Sequence, residues 1–169
     1  MYKRYNHTVG YNIWKLEWVT KYRYKVFVKF FVMIYCKVAI EEACKRHKIE
    51  ILALKVMPQH IHMVASLPRG MTDMRALQLL KGFASFVVFR LCPDLRKRYP
   101  KGSLWGGSFA ATVGETELQD AIDYVNKQEI HHSGSYCLYP IEDVTFSLVL
   151  LFIYSPAIIN LVSTSKVST

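Results

Sequence analysis

The stretch IEILALKVMPQHIHMVASL, residues 49–67, decides the fold because two apolar runs meet in it at a proline. Residues 49–57 are dense in Ile, Leu and Val, which predicts a buried, central strand. Pro58 marks a turn, and the apolar run after it predicts a second strand that opens with His60 and His62. The stretch therefore predicts two adjacent strands, with a histidine pair at the start of the second.

The two histidines are separated by one residue, Ile61. Residues with this spacing point to the same face of a strand, about 6 to 7 Å apart at their Cα atoms. Such a pair suits two imidazole nitrogens that bind one divalent metal. Because two ligands are too few for a tight structural site, His60 and His62 indicate an open site that a third group, water and substrate complete. The alternative is a half-exposed strand with a polar outer face.

The rest of the chain supplies elements around this pair. The pattern of apolar residues predicts a strand at 11–21, a helix at 26–48, a helix opened by Gly70 and Thr72 and ended by Pro93, a basic loop at 92–101, a strand at 106–113 and a last helix from 116. This order is typical of a split β-α-β fold. We therefore expect an α+β domain, ferredoxin-like or RNA-recognition-motif-like, whose four-stranded antiparallel sheet has helices on one face and a C-terminal helix after it. The other face is left for a ligand or a partner subunit.

Two helices carry further local signals. The run Thr116-Glu117-Leu118-Gln119 matches a capping box, in which the threonine and glutamine side chains satisfy the first turn of the helix. Tyr124 and Gln128 are four residues apart, so they lie one turn apart on the flank of that helix. Gly82 interrupts the preceding helix at a cost of about 1 kcal/mol relative to alanine, so we expect close packing or a close backbone approach there.

The composition indicates an anionic polymer as the partner. The 169 residues fit one domain, and 22 Lys and Arg against 13 Asp and Glu give a formal charge of +9. Aromatic residues make up 14% of the chain, and rings can stack on unpaired bases while basic side chains contact phosphates. The run at 20–25, TKYRYK, combines both features, although a solvated strand end is an equally good interpretation. The charge also fits a merely soluble basic protein.

Compartment and membrane association follow from the cysteines and the tail. The four cysteines show no metal-ligand spacing and the N-terminus shows no secretory signal, which predicts reduced thiols in the cytoplasm. Residues 144–162 are almost wholly apolar and near the roughly 20 residues that cross a bilayer. Pro156 and Asn160 argue against that, so we predict a catalytic domain at 1–143 and a packing or oligomer-forming tail at 144–169, with no stable membrane association. A membrane anchor is the alternative.

The histidines and the last helix together suggest a reaction. If they face each other, His60, His62 and the amide oxygen of Gln128 supply three metal ligands, with the phenol of Tyr124 one turn away. A phenol, with a pKa near 10, is a poor nucleophile unless its target is activated. A divalent cation on a phosphodiester oxygen provides that activation, and attack by tyrosine leaves a covalent phosphotyrosine. The predicted reaction class is strand cleavage and rejoining.

Five ordered motifs resemble a known family. They are LEWVTKYR at 16–23, PQHIH at 58–62, LKG at 80–82, LW at 104–105 with TVG at 112–114, and YVNKQ at 124–128. In order and spacing this resembles the single-tyrosine HUH transposases of small insertion sequences, the TnpA type. The resemblance implies a homodimer that cleaves and rejoins single-stranded DNA at hairpin-containing element ends. It departs from the family at Gln59, where an acidic residue is common.

The resemblance also implies roles for individual residues. It implies that Tyr124 is the nucleophile that forms a 5′-phosphotyrosine, and that His60, His62 and Gln128 bind Mg²⁺ or Mn²⁺. It implies further that Gly114 lies in the hinge before a tyrosine helix that docks on the other subunit. The basic residues predicted to contact DNA are Lys21, Arg23 and Lys81. The alternatives are a non-catalytic module that binds single-stranded nucleic acid, and a small hydrolase that uses the histidine pair and water.

Overall fold

The computed structural model describes residues 3–5 and 8–131, with side chains described from 10 to 127. The strands are β1 (Lys3–Tyr5), β2 (Thr8–Gly10), β3 (Ile13–Thr20), β4 (Glu50–Val56), β5 (His60–Ser66) and β6 (Trp105–Thr112). The helices are α1 (Phe30–His47), α2 (Asp73–Leu91), α3 (Pro93–Lys97) and α4 (Leu118–His131).

Strands β3 to β6 form the main sheet, in the order β4-β5-β3-β6 with every neighbouring pair antiparallel. The first and third of these strands along the chain are therefore central, as the split β-α-β pattern requires. This confirms the predicted α+β fold with its four-stranded antiparallel sheet. Strands β1 and β2 form a separate antiparallel pair that the sequence pattern did not predict.

One face of the sheet carries its largest fully buried side chains. Leu16 and Trp18 of β3 pair with Met63 and Ile61 of β5, and all four are fully buried. Helices α1 and α2 pack against each other and against this side of the sheet. Burying each such side chain contributes about 1.5 to 3 kcal/mol, so this face holds most of the stability that positions β5.

Helix α4 packs on the opposite face, over β4 and β5. Val125 is the fully buried residue among the described side chains of this helix, which end at 127. It lies in a cluster with four buried sheet and loop residues, Ile13, Ala53, Val64 and Val113. Because residues on a strand alternate between faces, this cluster is on the same face as His62, two residues before Val64. The face that we expected to be open is therefore partly covered by the last helix.

The apolar run at 49–57 predicted a central strand, but β4 lies at the edge of the sheet, where β5 is its neighbour. Three further predictions, about α4, α3 and α2, were also wrong. Helix α4 begins at Leu118 and not at Thr116. The Gln119 side-chain amide donates to the Asp123 carboxylate at 2.9 Å, one turn further along the helix, so it does not form the predicted capping box. The basic loop contains helix α3, which starts at Pro93, a residue suited to the first helical position. A Cβ added at Gly82 would meet nothing within 4 Å, so no close packing explains that glycine.

The tail predicted at 144–169, and with it the domain boundary after 143, lies outside the described residues. Among the residues that the structure describes, no helix is long and apolar enough to span a bilayer.

Candidate active site

The histidine pair lies in the middle of the face that α4 partly covers. Cross-strand pairing places His62 between Lys55 of β4 and Glu17 of β3, and Glu17 pairs in turn with Phe109 of β6. Directly paired residues share a face, so these four side chains form a row across the sheet. His60 lies one step along the same face of β5, and its ring centroid is 4.6 Å from that of His62.

Glu17, on the neighbouring strand β3, contacts the buried histidine, His62. Its Oε2 lies 3.3 Å from Nδ1 of His62, whose side chain is only 4% exposed. This distance is long for a hydrogen bond, so the contact is best described as electrostatic. In metal sites, a carboxylate at one ring nitrogen fixes the imidazole so that the other nitrogen can ligate the metal. Within the described part of the chain, no group of three His, Cys, Asp or Glu side chains could hold a metal ion, so the two imidazoles supply two donors suited to a divalent cation and would need a third ligand.

Helix α4 brings a tyrosine to this pair within the same chain. The rings of Tyr124 and His62 meet edge to face, with centroids 6.0 Å apart. Because the next residue, Val125, is buried against the sheet, Tyr124 falls at the margin of the helix interface and stays 48% exposed. A phenol placed there can be reached by a polymer that lies across the sheet.

Lys15 is a further charged group at the tyrosine. It precedes Glu17 by two residues on β3, so both side chains are on the same face. Its Nζ lies 4.1 Å from the centroid of the Tyr124 ring, which is a cation–π contact. The phenol is therefore flanked by an ammonium group on one strand and an imidazole on the next.

For two of the predicted site residues, Gln128 and Gly114, the structure gives the backbone position but does not test the predicted role. Gln128 follows Tyr124 by one turn of α4, but its side chain is outside the described side chains, so its role as a ligand stays a prediction. Gly114 is exposed between β6 and α4, and a Cβ there would meet only Glu117 Oε2, at 3.9 Å. The hinge role of Gly114 likewise stays a prediction.

The three basic residues predicted to contact DNA fall into two places. Lys21 and Arg23 form the short 3-10 turn that follows β3. Lys81 lies on α2, where its ammonium group donates to the Gly106 carbonyl at 3.2 Å, and its burial lowers its pKa. The contact ties α2 to the start of β6, and the DNA contact of Lys81 stays a prediction.

Sequence patterns alone did not single out Lys15, Glu17 or Phe109 as site residues. The signal was present for the first two, since polar residues at 15 and 17 alternate with buried Leu16 and Trp18 on a strand. What was missing was the pairing register that sets these residues beside His62.

A comparison with known protein families identifies the family to which this chain belongs. The family model described as "Transposase IS200 like" matches residues 10–128, which include every strand of the main sheet and Tyr124. This chain belongs to the IS200-like transposase family. The resemblance carried by the five motifs is thus confirmed, and a transposase cleaves and rejoins DNA.

Relatives of this IS200-like transposase agree with the assignment. The chain is 27% identical over 114 residues to the ISDra2 transposase TnpA of Deinococcus radiodurans, covering 67% of this chain and 81% of that protein. It is also 27% identical over 88 residues to the transposase for insertion sequence element IS200 of Salmonella typhimurium, covering 50% of this chain and 58% of that one. The chain therefore spans little more than half of this second relative.

Two solved structures share the fold. A crystal structure assigned as a transposase from Deinococcus radiodurans superposes with a TM-score of 0.61 and 26% identity, covering 75% of this chain and 97% of that chain. A REP-associated tyrosine transposase bound to a REP hairpin superposes with a TM-score of 0.55, covering 79% of this chain and 74% of that chain. At 16% identity, this second likeness shows the fold alone.

Proposed function

We propose that this transposase cleaves and rejoins single-stranded DNA through a covalent link to Tyr124. The single observation that carries the proposal is the contact between the rings of Tyr124 and His62, 6.0 Å apart, beside the Lys15 ammonium. A partly exposed phenol next to an imidazole pair and a cation is suited to attack on a phosphodiester.

The proposed step exchanges one phosphate ester for another. The Tyr124 phenol gives up its proton, and its oxygen attacks the phosphorus of a DNA phosphodiester. The bond from phosphorus to the 3′-oxygen breaks, that oxygen takes up a proton, and a 5′-phosphotyrosine remains. In rejoining, a 3′-hydroxyl attacks the same phosphorus, and the tyrosine oxygen leaves and is protonated. Because the phosphotyrosine conserves the ester bond, neither direction requires ATP.

We propose that His60, His62 and Gln128 hold the divalent cation, Mg²⁺ or Mn²⁺. A bound cation supplies positive charge to the phosphate oxygens. Glu17 fixes the His62 ring through the 3.3 Å contact with Nδ1. Lys15 holds the Tyr124 ring by cation–π attraction and adds a positive charge where the phosphate meets the phenol.

The proposed substrate is a single-stranded element end that contains a hairpin, and the proposed assembly is a homodimer. One protein of the same fold is bound to a REP hairpin, and we extend this kind of ligand to the present chain as part of the proposal. The basic composition, with a formal charge of +9, supports an anionic polymer. Tyr124 contacts His62 of its own chain, so one subunit holds both the proposed nucleophile and the histidine pair.

A denaturing gel tests the proposal. An end-labelled, single-stranded element end is incubated with the protein and Mn²⁺, and we expect a labelled band at the mass of the protein plus DNA. Tyr124→Phe should abolish the band, and the matched change Tyr35→Phe, on α1, should leave it unchanged.

The other outcomes separate the alternative functions. DNA binding without cleavage in any divalent metal would indicate a non-catalytic binding module. Cleavage without a trapped adduct would indicate a hydrolase that uses water. Either outcome contradicts the proposed covalent mechanism.

A further inference from the structure

The turn that follows β3 presents two exposed aromatic rings. Tyr22 is 66% exposed and Tyr24 is 41% exposed, and their ring centroids are 5.5 Å apart. Tyr24 in turn contacts the ring of the buried Tyr99, at 5.9 Å, which supports it from behind. We call Tyr22 and Tyr24 the tyrosine platform.

Cations surround this platform. The Lys21 ammonium lies 5.4 Å from the centroid of the Tyr22 ring, and the Arg98 guanidinium lies 5.8 Å from that of Tyr24. Between Glu17 and Glu41 the chain has no acidic residue. Rings combined with cations, and with no acidic residue in this stretch, favour a ligand that offers both flat faces and negative charge. Single-stranded nucleic acid has this chemistry.

The backbone of the turn is held in an unusual conformation. Tyr22 and Arg23 both have positive φ values, 59° and 52°, a region that residues other than glycine rarely adopt. Strained backbone of this kind is concentrated at functional sites, where surrounding contacts maintain it. The Thr20 hydroxyl donates to the Tyr24 carbonyl at 2.7 Å, so the turn is fixed at its base.

The platform is also connected to the active site. The Thr20 amide donates to the Gln59 carbonyl at 2.8 Å, and Gln59 directly precedes His60. Val19 pairs with His60, so Tyr22 lies three residues beyond the position that pairs with His60, at most about 10 Å along the chain. A DNA strand that crosses the histidine pair therefore reaches the platform within a few nucleotides.

We propose that the tyrosine platform is a second substrate site, where unpaired bases of the DNA strand stack on Tyr22 and Tyr24 while Arg98 and Arg23 contact the phosphates. The inference rests on the proposed function for its ligand, single-stranded DNA. It adds a site that holds the strand beside the cleavage position, separate from the groups that carry out the chemistry.

The test measures binding without cleavage, so it does not depend on Tyr124. The probe is a 20-nucleotide oligothymidylate with one 2-aminopurine, whose fluorescence is quenched on stacking, titrated with the protein in EDTA. Loss of one base–aromatic stack weakens binding by about 5- to 150-fold. We expect this loss, with less quenching, for Tyr22→Ala, and near-normal binding for Tyr22→Phe, which keeps the ring.

Two further variants keep the result interpretable. Tyr22→Gly relieves the left-handed backbone and removes the ring, so it should fold at least as well as the wild type and still bind weakly. Phe31→Ala removes another exposed ring, 61% exposed on α1, and should bind normally. The proposal is overturned if both Tyr22 variants that lack the ring bind like the wild type, if Phe31→Ala binds as weakly as they do, or if a duplex 20-mer shows the same loss. A failure to form the Tyr124 adduct would instead contradict the proposed function alone.

Discussion

Shortening Val125 should loosen the helix that carries the tyrosine without unfolding the sheet. Val125 is fully buried in the cluster that attaches α4. Val125→Ala removes two methyl groups, worth about 1.6 kcal/mol by transfer. Incomplete closure of the space left behind raises the cost to about 2 kcal/mol. Because Val125 is the α4 residue that is buried in this cluster, its loss should favour local opening of the helix, by a factor of about 30.

Amide hydrogen exchange followed by mass spectrometry measures this opening. We expect peptides from α4 to exchange about 30-fold faster in Val125→Ala, while peptides from β5 change much less. The matched control is Val88→Ala, an identical change at a fully buried residue of α2, which should destabilise the domain as a whole. The reasoning is refuted if α4 exchanges no faster in Val125→Ala than in Val88→Ala.

Two other predictions concern the metal and the thiols. Glu17→Gln keeps the shape of the side chain but removes the charge beside His62, so the Mn²⁺ affinity measured by titration calorimetry should fall about 10- to 100-fold. An unchanged affinity would exclude a role of Glu17 in orienting His62. Burial raises the pKa of the Cys44 thiol to about 12 and raises that of Cys36 as well, which leaves Cys44 with about a thousandfold less thiolate than at the ordinary value of 9.0. Among the three cysteines that the structure describes, a thiol reagent at pH 8 should therefore label the half-buried Cys92 before Cys36 and Cys44, and equal labelling of Cys44 would show that α1 is not packed as described.

Much of the fold follows from local patterns, because strands and helices with one buried face show a periodic spacing of apolar residues in the sequence. The apolar runs on either side of Pro58 predicted β4 and β5, and Thr72 caps α2 by accepting from the Arg75 amide at 3.2 Å. The start of α1 was misplaced because residues 26–28 form a 3-10 turn. Its Phe27 amide donates to the Pro58 carbonyl at 3.1 Å, a contact between segments far apart in the chain that no local pattern contains.

The site was predictable only in part, for a similar reason. His60 and His62 are neighbours along one strand, so their spacing alone places them on one face. Glu17, Lys15 and Phe109 come near them through the register of three strands, which depends on how the whole sheet assembles. Motif order, carried by the family resemblance, supplied the link between the histidines and Tyr124 that periodicity does not contain.

The arrangement explains how a small chain can expose the phenol that we propose as the nucleophile and keep it oriented. The rigid side of the sheet, covered by α1 and α2, fixes β5 and hence the imidazoles. On the other side α4 packs over β4 and β5, and its buried Val125 sets the position of the adjacent Tyr124. Contacts from Lys15 and His62 then define where the phenol points, while the ring remains open to a strand of DNA.

The central claim is that Tyr124 becomes covalently linked to DNA, and mapping the linked residue tests it most directly. A single-stranded element end is incubated with the protein and Mn²⁺, digested with trypsin and nuclease, and sequenced by tandem mass spectrometry. The account predicts a nucleotide attached through its 5′-phosphate to Tyr124. A nucleotide on any other residue, or cleaved DNA with no modified peptide, would contradict it.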